Sequence, residues 1–261
     1  MGKILTIAIF LILVIGSYFF WAKGSFSLFK KPLSKGLMAI KEKGALIVGT
    51  DATYPPLEYE EDGKIIGFDI DLATEIAKDL GVPLEIKNIS FDKIFTSLAN
   101  SDVDLVISSV TITEERQKKM IFSTPYLNAG QVIVVSSSNK TIQSVDDLNN
   151  LSVGVQVDTT SKTEAEKYTN KVTDYPDYDK AQSDLNSGKI SAIVIDYPAG
   201  ISMTQASSGK LKVVGNPFTS EFYGVAINKG KIDLALRVND TINKIKKSGR
   251  LNDLEVFWFK R

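Results

Sequence analysis

Short apolar runs alternate along this chain with stretches whose apolar residues recur at helical spacing, the pattern of β/α units. Leu46, Ile47 and Val48 predict a first strand running to Gly49. Residues 57–59 and 64–66 flank Asp62-Gly63, a hairpin signal. Over 69–80, Ile70, Ala73, Ile76, Ala77 and Leu80 share one helical face, and Gly81 supplies the stop. A strand over 84–89, a helix over 91–99 and a buried strand over 103–107 come next. A second series opens with the apolar run 131–135. It continues with strands over 152–157, 172–175, 192–195 and 211–214, and helices over 161–168 and 178–186. A strand over 224–227 and a helix lined by Leu234, Val238, Ile242 and Ile245 close the series. The fold class read from this alternation is α/β, with mainly parallel sheets flanked by helices and enough length for two lobes.

The N-terminus obeys a different rule. Lys3 precedes the stretch 4–22, interrupted only by Thr6, Gly16 and Ser17. A secretory apolar region is usually shorter, and a run of this length predicts a hydrophobic helix able to cross a bilayer. Residues 1–31 are therefore expected to be a signal peptide or a membrane anchor. Trp21-Ala22-Lys23 is a poor cleavage site and Ser25-Phe26-Ser27 a passable one. Lys23, Lys30, Lys31 and Lys35 outnumber Lys3, which opposes an outside C-terminus by the positive-inside rule. Export is nevertheless the expectation, on the strength of the motifs carried by the rest of the chain.

Charge and composition then remove several functions. The 31 basic residues balance 31 acidic ones, so nothing electrostatic points to nucleic acid. Cysteine and histidine are both absent, which excludes disulfides, thiolate nucleophiles, the usual zinc sites and any triad with a histidine base. No Gly-x-x-x-x-Gly-Lys phosphate loop is present, so the chain cannot drive transport with ATP by itself.

The segment 107–116, Ile-Ser-Ser-Val-Thr-Ile-Thr-Glu-Glu-Arg, carries the most chemistry. A buried strand runs into Ser108, Ser109 and Thr111. Thr111 with Glu114 fits a capping box, and Thr113 is itself a good N-cap. Arg116 then falls in a first helical turn, where the dipole disfavours a cation. An anion would resolve that conflict, held by free N–H groups, hydroxyls and a guanidinium fork. An Arg116 paired with a neighbouring surface acid is the plain alternative. Other strand ends offer similar candidates. Asp51 and Tyr54 come just after the first strand, Phe91 opens a helix, and Gln156-Val157-Asp158-Thr159-Thr160 forms a second anion-ready junction. Asp196 ends a strongly apolar strand. Taken singly, Asp51 and Asp196 could be turn or cap residues, Tyr54 and Phe91 core aromatics, and Thr159 and Thr160 simple caps.

Taken in order, these motifs resemble the extracellular solute-binding proteins of polar amino-acid uptake transporters. The segments are Gly49-Thr50-Asp51 with Tyr54-Pro55-Pro56, Gly67-Phe68-Asp69-Ile70-Asp71-Leu72, Phe91-Asp92, Ser108 to Thr113 with Arg116, Phe122-Ser123-Thr124-Pro125-Tyr126, and Asp196. The likeness covers 45–259. It implies a two-lobed type II binding-protein fold, with lobe 1 at 45–128 and 223–261 and lobe 2 at 129–222. It also implies roles. Arg116 and the N–H groups of Thr111 and Thr160 would hold a ligand α-carboxylate. Asp196, the Thr111 hydroxyl and the Ser109 carbonyl would hold its α-ammonium. Tyr54 and Phe91 would sandwich the side chain, with Asp51 and Ser108 at the far end and Thr159 beside the second junction. Gln156, Val157 and Asp158 stand where relatives often carry a glycine, which leaves the second lobe's backbone donors open.

The resemblance implies a monomeric receptor for a free amino acid, without catalytic residues, metal or cofactor, serving an ABC-transporter permease and its ATPase. Asp51 at the distal end points to a basic ligand, arginine first. A glutamine, glutamate or cystine receptor is the alternative in the same class, and a cyclohexadienyl-dehydratase-like enzyme the remote one. If the stretch 4–22 remains as an anchor, the full-length protein will sediment with membranes and resist alkaline carbonate extraction; a soluble species starting near residue 28 would mean cleavage instead.

Overall fold

The structure is a computed structural model describing residues 35–260, so the expected hydrophobic helix and the cleavage region lie outside the described residues. Two five-stranded sheets organise the rest. The first has the order β5 (Leu84–Asn88), β1 (Leu46–Thr50), β6 (Leu105–Val106), β15 (Ala226–Asn228) and β7 (Met120–Phe122). The second has the order β11 (Val172–Tyr175), β10 (Val153–Gln156), β12 (Ala192–Asp196), β9 (Gln131–Ser136) and β13 (Leu211–Val214). A small antiparallel sheet of β2 (Thr53–Tyr54), β3 (Glu58–Glu61) and β4 (Lys64–Ile66) contains the expected hairpin. Asp62 and Gly63 both take the positive φ that such a tight turn needs.

The sheets are mixed, not uniformly parallel. In each, four strands share one direction and one opposes them: β15 in the first and β9 in the second. Both opposing strands enter directly from the paired crossing strands β8 (Leu127–Ala129) and β14 (Glu221–Tyr223). Apart from β1, the first described strand, the others arrive through helical crossovers, which impose parallel neighbours; a strand coming straight from the opposite sheet escapes that constraint.

Helices cover the sheets: α1 (Lys35–Lys43), α2 (Phe68–Leu80), α3 (Phe91–Ala99), α4 (Glu114–Lys119), α5 (Thr160–Ala165), α6 (Tyr178–Asn186), α7 (Tyr197–Ala206), α8 (Ile232–Lys247) and α9 (Arg250–Phe259). The predicted face of α2 is buried, and Gly81 caps it in the left-handed conformation. In β12 every residue is buried, which is why its sequence lacks alternation. The helix expected over 161–168 is shorter, ending at Ala165, and the strand expected over 103–107 keeps only Leu105–Val106 as a ladder. The helices α7 and α9 and the short strands β7, β8 and β14 carry no strong period, and the sequence pattern does not predict them.

One turn places the floor of the cleft. Gly67 has a φ of 135°, and a Cβ there would lie 2.1 Å from the Leu57 carbonyl oxygen. That same oxygen accepts the Asp69 N–H at 2.9 Å, so α2 can start only if this approach is allowed. Gly67→Ala should therefore cost about 2–3 kcal/mol of unfolding free energy in urea titration. An unchanged midpoint would contradict the steric account.

Candidate functional site

The β6–α4 junction is built differently from its sequence signature. Thr113, not Thr111, is the N-cap, and its Oγ1 accepts the Arg116 N–H at 3.2 Å. Thr111 instead bridges to Tyr223. The Thr111–Glu114 capping box therefore does not form, because the helix starts two residues later. With six residues, α4 has little dipole to offer an anion, and so does the equally short α5. What remains is Arg116 itself. Its Nη1 donates to the Thr111 carbonyl at 3.0 Å and its Nη2 to the Asp158 carbonyl at 3.1 Å. The guanidinium carbon lies 5.5 Å from the Phe91 ring centre and 5.1 Å from that of Phe95. Among the described residues no carboxylate stands within ion-pair distance of it. The surface ion pair is thus not how this arginine is held. Burial presses its pKa down, opposed first by the charge of Asp196.

Asp196 faces the same cavity from the end of β12. It occupies the N-cap position of α7, yet its side chain makes no capping bond. Tyr54 Oη at 2.9 Å and Tyr223 Oη at 2.5 Å donate to Oδ2, and Gln131 Nε2 donates to Oδ1 at 2.5 Å. Only 7% exposed, the carboxyl is pushed up to about 7, chiefly by burial and then by the charge of Glu221. The tyrosines and Arg116 oppose that rise.

Asp51 is also buried, and its partners revise the expectation placed on it. Oδ1 accepts from Thr53 Oγ1 at 3.0 Å; Oδ2 accepts from the Phe91 N–H at 3.1 Å and Gln156 Nε2 at 2.9 Å. It satisfies the first N–H of α3 and is itself satisfied by three donors, so it does not require a cationic partner. Burial nonetheless raises its pKa.

Below it, Ser108 and Ser109 rest on two further acids. Ser108 Oγ donates to Glu58 Oε1 at 3.1 Å and accepts the Asp51 N–H at 2.9 Å. Ser109 Oγ donates to Glu58 Oε2 at 3.0 Å, and the Ser109 N–H to Asp69 Oδ2 at 2.7 Å, which Tyr126 Oη also reaches at 2.8 Å. Ser109 has a φ of 50°, a strained conformation for a serine that these bonds hold in place. Burial without a cation lifts Asp69 to about 6 and Glu58 well above the carboxylate range.

The remaining candidates complete one wall. The Thr159 hydroxyl caps α5, accepting from the Lys162 N–H, as the plain reading allowed, and donates to the Gln156 carbonyl at 2.6 Å. Thr160 Oγ1 donates to Glu221 at 2.7 Å. Tyr54 packs against Tyr178 at 5.5 Å between ring centres, and Phe91 against Phe95 at 5.4 Å. All ten sequence candidates (Asp51, Tyr54, Phe91, Ser108, Ser109, Thr111, Arg116, Thr159, Thr160 and Asp196) line one cavity. Glu58 and Gln156 line it too, although the sequence assigns neither a place in it. Gln131, Glu221 and Tyr223 stand directly behind it. A polar residue opening an otherwise apolar strand, as Gln131 does in β9, is the one signal the sequence offers for that layer. Contacts across the cavity tie the two sheets together: Tyr54 to Asp196, Gln156 to Asp51, Arg116 to the Asp158 carbonyl and the Thr111 hydroxyl to that of Thr160.

Comparison with known proteins agrees with this geometry. The family model of bacterial extracellular solute-binding proteins, family 3, matches residues 46–261. The L-cystine-binding protein TcyJ of Escherichia coli is 37% identical over 227 residues, 85% of each chain. The ABC transporter glutamine-binding protein GlnH of Bacillus subtilis is 34% identical over 232 residues, 86% of this chain and 84% of that one. Among solved structures, the arginine-, lysine-, histidine-binding protein ArtJ of Geobacillus stearothermophilus superposes with a TM-score of 0.79 at 33% identity, covering 83% of this chain and 96% of that one. With the family matched from the first strand to the last helix and the cavity set between two sheets, this chain belongs to the bacterial extracellular solute-binding proteins of family 3.

Proposed function

We propose that this protein captures a free amino acid outside the cell and delivers it to an ABC-transporter permease driven by an ATPase. The observation that carries the reading is a pair of opposite charges on one cavity: Arg116 after the first sheet and Asp196 at the end of a second-sheet strand. A zwitterion satisfies both at once, whereas either charge left alone in the closed cleft is costly. In this reading Arg116 and the Thr111 and Thr160 N–H groups take the carboxylate. Asp196, the Thr111 hydroxyl and the Ser109 carbonyl take the ammonium. Tyr54 and Phe91 flank the side chain, with Asp51, Ser108 and Gln156 at its tip and Thr159 at the rim. The mechanical lobes are 45–128 with 223–261, and 129–222, and ligand closes one on the other through differential binding to the closed state. The receptor acts as a monomer at the membrane surface, anchored or released according to the fate of residues 1–31.

For the side chain, an excess of acids favours a basic ligand. Asp51, Glu58 and Asp196 line the cavity with Arg116 the only cation among its lining residues. Arginine comes first, in keeping with the specificity that ArtJ carries in its name. Glutamine is the second reading, supported by a specific contact: Gln156 already bonds Asp51, so a neutral amide tip suits the remaining space. Cystine is suggested by the likeness to TcyJ. We read the site as binding and not catalytic, in keeping with the binding proteins the chain resembles; incubation with prephenate-like acids should yield no product.

A thermal-shift screen of the soluble portion against the common amino acids identifies the ligand, because 100-fold saturation adds about 2.7 kcal/mol. Arg116→Ala should then weaken every ligand by about 2–5 kcal/mol in titration calorimetry; near-wild-type affinity would refute the clamp.

The charge of Asp196 gives a second test. Its pKa of about 7 in the enclosed, empty site means that this form binds a proton as pH falls, in competition with the ligand ammonium. Affinity should rise from pH 5.5 to about 7 and level off above, with proton release on binding in the lower range. A flat profile would remove Asp196 from the ammonium site. The same raised pKa works oppositely on the empty protein's stability, which this group lowers as pH rises from about 4 through 7.

A further inference from the structure

Glu221 lies on β14, one of the two strands joining the sheets, and is buried without having any assigned role. Its Oε2 accepts Thr111 Oγ1 at 2.8 Å and Thr160 Oγ1 at 2.7 Å. Its Oε1 accepts Thr219 Oγ1 at 3.0 Å, whose oxygen in turn accepts the Gln131 N–H at 2.9 Å. The carboxylate is thus fixed from behind and faces one threonine from each side of the cleft. Thr111 stands beyond the first sheet; Thr160 opens α5 on the second.

A hydroxyl has one proton and two lone pairs. Once the Thr111 proton is given to Glu221, that hydroxyl can only accept from anything else in the cavity. An ammonium is a donor with no acceptor, so this is the orientation it requires. Without Glu221 the rotor is free to donate elsewhere, and the gain from binding an ammonium falls by the cost of reorienting it. The two hydroxyl oxygens lie 3.4 Å apart, and the shared carboxylate oxygen occupies both protons.

We propose that Glu221 is a positioning residue of the ligand site, which takes the protons of Thr111 and Thr160, makes the Thr111 hydroxyl an obligate acceptor for a ligand ammonium, and secures one threonine of each lobe to the same crossing strand. The proposal rests on the amino-acid reading above. It distinguishes Glu221 from a group that merely stabilises the hinge, because the effect passes through one hydroxyl and concerns one ligand group.

The test is a double-mutant cycle of Glu221→Gln and Thr111→Val in the soluble protein, measured by calorimetry and stopped flow. The probes are L-arginine, L-lysine, L-glutamine and L-cystine, with the deaminated analogue of whichever binds best. Each single variant should weaken the best amino acid about tenfold, the scale of a hydrogen bond to a charged group, mainly by faster dissociation. The double variant should be no weaker than the poorer single within about twofold. The analogue lacking the α-amino group, and so the α-ammonium, should bind wild type and variants within about twofold of one another. Additive losses, or equal losses for amino acid and analogue, would overturn the proposal while leaving the amino-acid reading intact. If wild type binds none of the four amino acids, the amino-acid reading fails and takes the proposal with it. Should Glu221→Gln not fold, Glu221→Asp replaces it in the cycle, since it keeps the charge but shortens the reach.

Discussion

The buried carboxyl of Asp196 is the constraint around which the cleft is arranged. Its three donors come from three parts of the chain: Tyr54 beside the first sheet, Tyr223 on a crossing strand and Gln131 at the start of β9. A carboxylate so enclosed is costly unless its oxygens are satisfied, and here the satisfaction itself spans the cleft. Opening the lobes would strip Tyr54 from Asp196 and Gln156 from Asp51. Both acids would then meet water, which replaces those donors at little cost. A cleft held this way is bonded internally without being locked, and the proposed capture and release needs that balance.

The same logic explains why so much of the site lies behind the surface a ligand would touch. Ser108 and Ser109 are positioned by Glu58 and Asp69, and Asp69 is anchored by Tyr126. The strained Ser109 backbone persists only because its N–H has a buried carboxylate waiting for it. Gly67 contributes at one remove, by letting the Leu57 carbonyl approach closely enough to start α2 with Asp69 in place. Motifs that look like separate punctuation in the sequence are parts of one bonded floor.

The residues that face the cavity are legible because they stand at strand ends. A strand end in an α/β fold is where ligands gather, and the sequence marks it by a change from apolar to polar residues. Asp51 and Asp196 are visible on that basis, and Arg116 as a cation in a first helical turn. Their supports are less visible for an equally physical cause. Glu58 and Glu221 sit on strands of four and three residues, too short to develop a period, and look like ordinary surface acids. Tyr223 owes its role to a crossing that brings distant parts of the chain together, which no local pattern records. The antiparallel direction of β9 and β15 is hidden for the same reason. It depends on where the chain comes from, not on what the strand contains.

Charge gives the last constraint on the ligand. Five acids, Asp51, Glu58, Asp69, Asp196 and Glu221, stand in or just behind the cavity against one arginine. Were all five ionised in so little water, mutual repulsion would open the cleft. Raised pKa values act against this: burial lifts Asp196 and Asp69 to about 7 and 6, and Glu58 well above its ordinary value, so each takes up a proton more readily than a free carboxyl. A cationic ligand group can therefore be compensated in two ways, by pairing with an existing carboxylate or by displacing a proton from one. The second route suits Asp196, whose pKa lies near neutrality and whose proposed partner is the ammonium common to every amino acid. Asp51, with three protein donors already in place, has less to gain from a cation at the tip. In the proposed reading the common part of the ligand is held by charge, while selection among side chains falls to the excess of acids, to shape and to the Asp51–Gln156 contact. That division accommodates relatives that carry cystine, glutamine or basic amino acids in their names on one and the same framework.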